Sequence, residues 1–294
     1  MTSRTTAPQT ETGSPSGVVD PIKAVPVRKY GQWAIAAIVA LYAAQLIVSV
    51  ARNETLEYGV VWRYLFHEQV LKGILVTFEL TFAAGILGTL IGTLVAVAKL
   101  SGNPILRAVS GFYTWFFRGV PLLSLVLIMG NFAILFSHLS ISLPFTDVDF
   151  LRVDTNSVLT IFVAAWIALS LHEGAYMGEV IRGGLVGVPQ GQREAAQSLG
   201  MSDGLVMRRV ILPQSLRTVV PPMSNRFIIL LKESSLVSVI AGGELMNAVT
   251  DLSTSNYRVI EMLMVATLWY LFFVSLLTFG QRVLERRLSR GYSR

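Results

Sequence analysis

Residues 189–213 read PQGQREAAQSLGMSDGLVMRRVILP and form a polar island between two long apolar runs. The island carries Arg193, Arg208 and Arg209 and has the pattern of two helices around a turn. Pro189 suits a first helical turn, where a missing N–H removes no bond. Gln192, Arg193, Glu194, Ala195, Ala196, Gln197 and Leu199 are mostly good helix formers. Gly200 fits a left-handed C-terminal cap. Ser202 suits the start of the next helix, with Asp203 near its positive end. Pro213 marks that helix's end or a kink. Ala195 and Ala196, flanked by Arg193 and Glu194, leave room for another surface to approach. Read alone, these residues fit a docking surface and an ordinary structured loop equally well.

The apolar runs on either side set the class. Six can be marked, at 33–51, 74–98, 112–137, 158–180, 219–242 and 260–281. Each suffices for a helix across a hydrocarbon core of about 30 Å, which takes about 20 residues. The chain is 53% hydrophobic and 14% charged, against about a quarter charged for a soluble domain. Regular ten-residue alternation is lacking, which argues against a barrel. With no Cys, disulfide frameworks and thiolate metal sites are excluded. Residues 1–32 are rich in Ser, Thr, Pro and Gly and read as a disordered cytoplasmic tail without a signal-peptide pattern.

Basic residues then assign the sides. They gather in the N-terminal tail (Arg4, Lys23, Arg28, Lys29), in the second connection (Lys99, Arg107), in the fourth (Arg182, Arg193, Arg208, Arg209, Arg217) and in the C-terminal tail 285–294. The alternate connections are poorer in Lys and Arg, and the first and third carry acids such as Glu54, Glu57, Asp149 and Asp154. The positive-inside rule puts both termini and the 189–213 island in the cytoplasm. Topology therefore accounts for the net charge of +6, and nucleic acid is not needed as a partner. The first run, with no charge, reads as an accessory transmembrane helix beside a five-helix core. The fold expected is an all-α membrane protein of about six transmembrane helices.

Ionisable residues inside spans mark substrate or ion pathways by default. The candidates are Glu79 in the second run, Glu173 and Tyr176 on one helix face of the fourth, and Lys232, Glu233, Ser234 and Ser235 in the fifth. A zwitterionic amino acid needs acceptors for its ammonium, which Glu79 or Glu173 can supply. It also needs donors for its carboxylate, from Lys232, Arg118 or free backbone N–H groups. Each has a structural alternative: an interhelix hydrogen bond for Glu173, a mutual pair for Lys232 and Glu233, anchoring for Arg118 at the cytoplasmic end of its span. Gly88 and Gly92 form a G-x-x-x-G pair that reads as close packing. Pro221 and Pro222 bend the start of the fifth span or act as a gating hinge. The three His are scattered and suggest no metal site.

Glu194, Ala195 and Ala196, Gly200 four residues later and Ile211-Leu212-Pro213 resemble the EAA loop of bacterial ABC-importer permeases. FRGVPLL (117–123), EGAYMGEVIRGGL (173–185), VPQGQREAAQSLGM (188–201), ILPQSLRTVVPPMSN (211–225), LLKESSLVSVI (230–240) and LERRLSR (284–290) are similar to the polar amino-acid subfamily (histidine, glutamine and arginine type), over about 70–290. The resemblance implies a type I importer transmembrane domain over 70–284 with a coupling loop over 186–213. It implies that Arg193, Glu194, Ala195, Ala196, Leu199 and Gly200 couple to a separate ATP-binding subunit. It further implies two copies of that subunit, a second permease copy or paralogue, an extracytoplasmic amino-acid-binding protein and a multi-pass place in the bacterial inner membrane. ATP and Mg would sit on the partner: none of the five Lys (Lys23, Lys29, Lys72, Lys99, Lys232) follows a Gly, so this chain holds no Walker A loop. The chain is then no enzyme itself, and no catalytic residue is expected. An ion-coupled secondary transporter using Glu79 and Glu173 predicts internal inverted repeats, which the sequence does not show. An intramembrane enzyme would need a nucleophile spaced to His172, also absent. Which amino acid is carried, and homodimer or heterodimer, stay open at this point.

Overall fold

The structure, a computed structural model, describes residues 30–142 and 149–289. Residues 1–29 of the expected N-terminal tail and 290–294 of the C-terminal tail lie outside them. The chain divides into two units, Met1–Thr55 and Leu56–Arg294. The first contains α1 (Tyr30–Ala51), apolar all round and with no buried residue.

The second unit is built on α3 (Glu68–Leu100) and α8 (Ile161–Val186). At 1.5 Å per residue, the 33 residues of α3 extend about 50 Å. The two helices cross where small residues permit it. A Cβ on Gly92 would stand 2.6 Å from the Met177 Cβ, and one on Gly88 2.9 Å from the Glu173 Cβ. Gly174 and Gly178 answer them from α8, so two G-x-x-x-G pairs interlock and backbone approaches backbone. Thr77, Thr81 and Thr89 donate to the carbonyls four residues back at 2.7–2.9 Å, which satisfies hydroxyls that lipid cannot. The opposite face of α3, with Leu75, Phe82, Ile86, Leu90 and Leu94, is exposed.

Helices long and apolar enough to cross a membrane are Tyr30–Ala51, Glu68–Leu100, Ile161–Val186 and Val259–Leu288. They cover the first, second, fourth and sixth expected spans. The third, 112–137, is two helices, α4 (Pro104–Gly119) and α5 (Leu122–Gly130), bent 97° from each other. The cause is Pro121, which drives Val120 into extended backbone (φ −78°, ψ 130°) and out of the helical region. A short turn, α6 (Phe132–Leu135), leads to an antiparallel hairpin, β1 (His138–Ser142) and β2 (Asp149–Asp154), in which His138 faces Asp154. This hairpin is the departure from all-helical structure among the described residues. The four-residue α7 (Thr155–Val158) then leads into α8.

The fifth expected span is also composite. After α9 (Gln190–Ser198) and α10 (Asp203–Val206), a π-turn (Met207–Ile211) runs directly into α11 (Leu212–Glu233). Pro213 therefore neither ends a helix nor kinks one: it sits in the first turn of α11, where its N–H is not needed, and the wide π-turn absorbs the change of bonding register. Pro221 and Pro222 lie inside α11 rather than at its entrance. Beyond Glu233 the chain tightens into a seven-residue 3₁₀ segment, Ser234–Ile240, closed by Ala241 at φ +56°. A short α12 (Leu245–Asn256) and the long α13 (Val259–Ser289) complete the unit. Arg258 ties the start of α13 to Glu57 and Glu261, beside α2 (Tyr58–Leu65).

Candidate functional site

Two regions hold the residues singled out from sequence. One is a charge cluster between α8 and α11; the other is the α9 loop.

The cluster centres on Arg226, which the sequence reading passed over. Its Nε and a terminal nitrogen donate to the two carboxylate oxygens of Glu173 at 3.3 and 2.5 Å. A contact of 3.5 Å reaches Glu233. Its guanidinium carbon lies 4.2 Å from the centroid of the Tyr176 ring. Glu173 is fully buried and Arg226 nearly so, at 12% side-chain exposure, while Glu233 keeps 25%. Gly88 makes room at the Glu173 Cβ, so the helix crossing is what seats the acid. The i, i+3 spacing puts Glu173 and Tyr176 on one face of α8, and i, i+7 puts Arg226 and Glu233 on one face of α11. Burying a bidentate Arg–carboxylate pair is favourable only with this geometry and its extra contacts. Arg118 is not at the end of a straight span. It occupies the last turn of α4, at the bend, 5.2 Å from the Tyr176 centroid. The buried His172 ring lies beside Tyr176, centroids 5.0 Å apart.

Of the other span candidates, Lys232 is exposed and does not pair with Glu233, whose partner is Arg226. Ser234 and Ser235 donate to carbonyls three residues back, Leu231 and Lys232, so their hydroxyl protons are held within their own turn. Glu79 is exposed on the apolar face of α3. Near the end of α3, Glu179 bridges Lys99 on α3 and Arg182 on its own helix, a structural tie.

A second buried acid was also missed. Glu244, ahead of α12, accepts from the N–H groups of Met246 and Asn247 at 2.6 and 2.8 Å, and from the Tyr270 hydroxyl at 3.2 Å. Burial pushes its carboxyl up to about 7 against those donors. Its sequence signal is an N-cap acid two to three residues ahead of N–H groups that need an acceptor.

The α9 loop is built in the opposite sense. Gly200 stands at φ +79°. Met201 N–H bonds to Ala196 C=O and Gly200 N–H to Gln197 C=O, at 3.2 and 2.9 Å, the two bonds of a Schellman cap. Ser202 precedes α10 as expected, without a side-chain capping bond. Ala196 turns inward and packs with Val206 and Ile211 in a small cluster of the loop's own. Arg193, Glu194, Ala195 and Leu199 face outward, and Leu199 is 84% exposed. Gln190 donates to Glu194 at 2.7 Å. A groove of about 670 Å³ runs beside α9, lined by Pro189, Gln190, Arg193, Glu194 and Met207 among others. A capped helix thus presents an exposed leucine, Arg193 and Glu194 on a surface that the described residues leave uncovered.

Comparison with known proteins gives the family. Residues 88–290 match the family described as binding-protein-dependent transport system inner membrane component. The arginine transport system permease protein ArgU of Corynebacterium glutamicum is 38% identical over 283 residues, covering 96% of this chain and 88% of that protein. A putative glutamine transport system permease protein GlnP of Rickettsia bellii is 35% identical over 219 residues, covering 74% of this chain and 92% of that protein. A crystal structure of an amino acid ABC transporter superposes with a TM-score of 0.68 at 30% identity, over 79% of this chain and 99% of the other. The chain belongs to the family of binding-protein-dependent transport system inner membrane components, as a multi-pass permease of the polar amino-acid ABC type.

Proposed function

We propose that this permease carries a polar amino acid into the cytoplasm by alternating access, driven by ATP hydrolysis on separate subunits that seat α9 in a groove. The observation that carries the reading is α9 itself. Its cap and inward-turned Ala196 make it rigid, and Leu199, Arg193 and Glu194 project from it and stay exposed among the described residues. A rigid helix transmits the closure of two ATP-binding subunits, where a flexible loop would absorb it. The family implies an ATPase partner and a binding protein. Here α9 and both termini face the cytoplasm, and the binding protein docks opposite.

A second permease, a copy or a paralogue, covers the exposed apolar face of α3. Glu79 supports this, since an ionised carboxylate on a lipid-facing stripe is costly and a partner helix can solvate it. The accessory α1 lies outside residues 88–290 that carry the family match. The cargo site lies in this chain, at Glu173, Tyr176 and Glu233 with Arg118 beside them. Glu233 is the acid with spare capacity for a cationic group of the cargo, and Arg118 offers donors to a carboxylate.

The test is uptake into proteoliposomes holding the chain, its ATP-binding partner and its binding protein. Uptake of a polar amino acid that requires ATP inside and ignores a pH gradient is expected. Uptake that follows a pH gradient without ATP hydrolysis overturns the reading.

A further inference from the structure

The charge cluster already holds a guanidinium. Arg226 meets a bidentate carboxylate at Glu173, a second carboxylate 3.5 Å away at Glu233, and an aromatic face 4.2 Å away at Tyr176. Those are the contacts that select a guanidinium over a compact ammonium. We propose that Arg226 is an internal stand-in for the side chain of the cargo, that it fills the Glu173–Tyr176–Glu233 site when no cargo is bound, and that an arginine-like cationic amino acid displaces it. The inference rests on the reading that this cluster is the cargo site.

Charge balance argues for displacement rather than addition. Two guanidinium groups, Arg226 and Arg118, stand against two carboxylates, Glu173 and Glu233, with the exposed Lys232 a further positive charge acting on Glu233, so the cluster has no spare negative charge. An added cationic side chain would leave one uncompensated charge in a low-dielectric site, which is strongly unfavourable. Moving Arg226 out restores balance. Arg118 then serves the cargo's α-carboxylate: it is exposed, lies over the same ring at 5.2 Å, and makes no ion pair among the described residues.

The hold on Arg226 is also uneven. The Glu233 contact is long and partly exposed, while the Glu173 contact is short and buried. The element that would move is the end of α11, which continues into seven residues of 3₁₀ helix, where such runs seldom exceed three or four. Rewinding them to α-helix shortens the segment by about 3.5 Å. A shift of that size along the α11 axis is the movement that the displacement calls for.

The experiment measures L-arginine binding to the complete complex of permease and ATP-binding partner in lipid nanodiscs, with neutral, isosteric L-citrulline alongside. Arg226→Lys keeps the charge and weakens the fork and the stacking. It is expected to bind L-arginine about tenfold more tightly than the wild type, because a weaker internal competitor leaves more sites free. Citrulline binding should not change. In Arg226→Ala, millimolar methylguanidinium should raise the unfolding midpoint, and Glu173→Gln in the same background should abolish that rise. If Arg226→Ala does not fold, Arg226→Lys alone decides. A purely structural ion pair predicts weaker L-arginine binding in Arg226→Lys, and that result, or equal gains for arginine and citrulline, overturns the proposal. If an amino acid stimulates wild-type ATP hydrolysis while Arg226→Lys binds no tighter, this inference falls and the functional reading stands. If no amino acid stimulates hydrolysis, the functional reading falls first.

Discussion

The α8–α11 cluster and the α9 loop treat charge in opposite ways. In the cluster every acid is answered from within the chain: Glu173 by Arg226, Glu233 by the same guanidinium, with Tyr176 covering it. In the loop, Arg193 and Leu199 face outward, and the Glu194 carboxylate accepts from Gln190 on its own helix. A buried charge without a partner destabilises the fold, so the cluster had to be completed internally. An exposed charge is stable in water, so the loop can wait for another protein. Changes in the cluster should therefore act on folding and cargo together, and changes to the outward side chains of the loop on coupling alone.

The largest effect is expected from Glu173→Ala, which leaves Arg226 buried and uncompensated. A loss of about 3–5 kcal/mol is expected, seen as a lower unfolding midpoint in detergent or as failure to assemble. The double substitution Glu173→Gln with Arg226→Gln should recover part of it, and a double mutant no better than the single would break the comparison.

Next comes Gly92→Ala at the α3–α8 crossing, whose Cβ would stand 2.6 Å from the Met177 Cβ. Overpacking of this kind costs about 1–3 kcal/mol. An unfolding midpoint unchanged from the wild type would show that the crossing is looser than the geometry says.

Glu244 sharpens the account through pH. Its folded carboxyl is raised to about 7 from 4.5, so between those values the folded state holds a proton that the unfolded state has lost. Its stabilising contribution is full below about pH 4.5 and disappears as pH rises through 7, by up to about 3 kcal/mol. Unfolding midpoints from pH 5 to 8 should fall with this slope in the wild type, and Glu244→Gln should flatten it. The same slope in both proteins would assign the pH dependence elsewhere.

The loop should respond differently. Gly200→Val places a β-branched residue at φ +79° and should cost about 1–2 kcal/mol locally, with loss of coupled hydrolysis. The smallest stability effect, within about 0.5 kcal/mol, is expected for Glu194→Lys, measured as an unchanged midpoint beside impaired assembly with the ATP-binding subunit.

Much of this was legible in the sequence. The spans at α1, α3, α8 and α13 follow from long apolar runs. The Gly200 cap follows from a helix-forming stretch ended by the residue that best tolerates positive φ. The bend at Pro121 was visible in RGVP, but the apolar residues beyond it made 112–137 look like one helix. Arg226 was hidden the same way, inside PPMSNRFIILL, read as part of an apolar run. Its seven-residue spacing to Glu233 was a usable signal. Its bond to Glu173 was not, because a partner 53 residues away leaves no local pattern. The 3₁₀ segment has no sequence signature at all, since its residues would also suit an α-helix. Ala195 and Ala196 look alike in the sequence, and only packing against Val206 and Ile211 separates the inward one from the outward one.

The most direct test is substrate-stimulated ATP hydrolysis in proteoliposomes with the ATP-binding partner and binding protein, comparing wild type, Glu194→Lys and Glu173→Gln. The account predicts that Glu194→Lys loses hydrolysis while the permease still folds and still binds cargo. It predicts that Glu173→Gln loses the response to cargo while the ATP-binding subunit stays attached. Full stimulated hydrolysis in both variants would contradict it, because neither the α9 surface nor the buried cluster would then be part of the transport cycle.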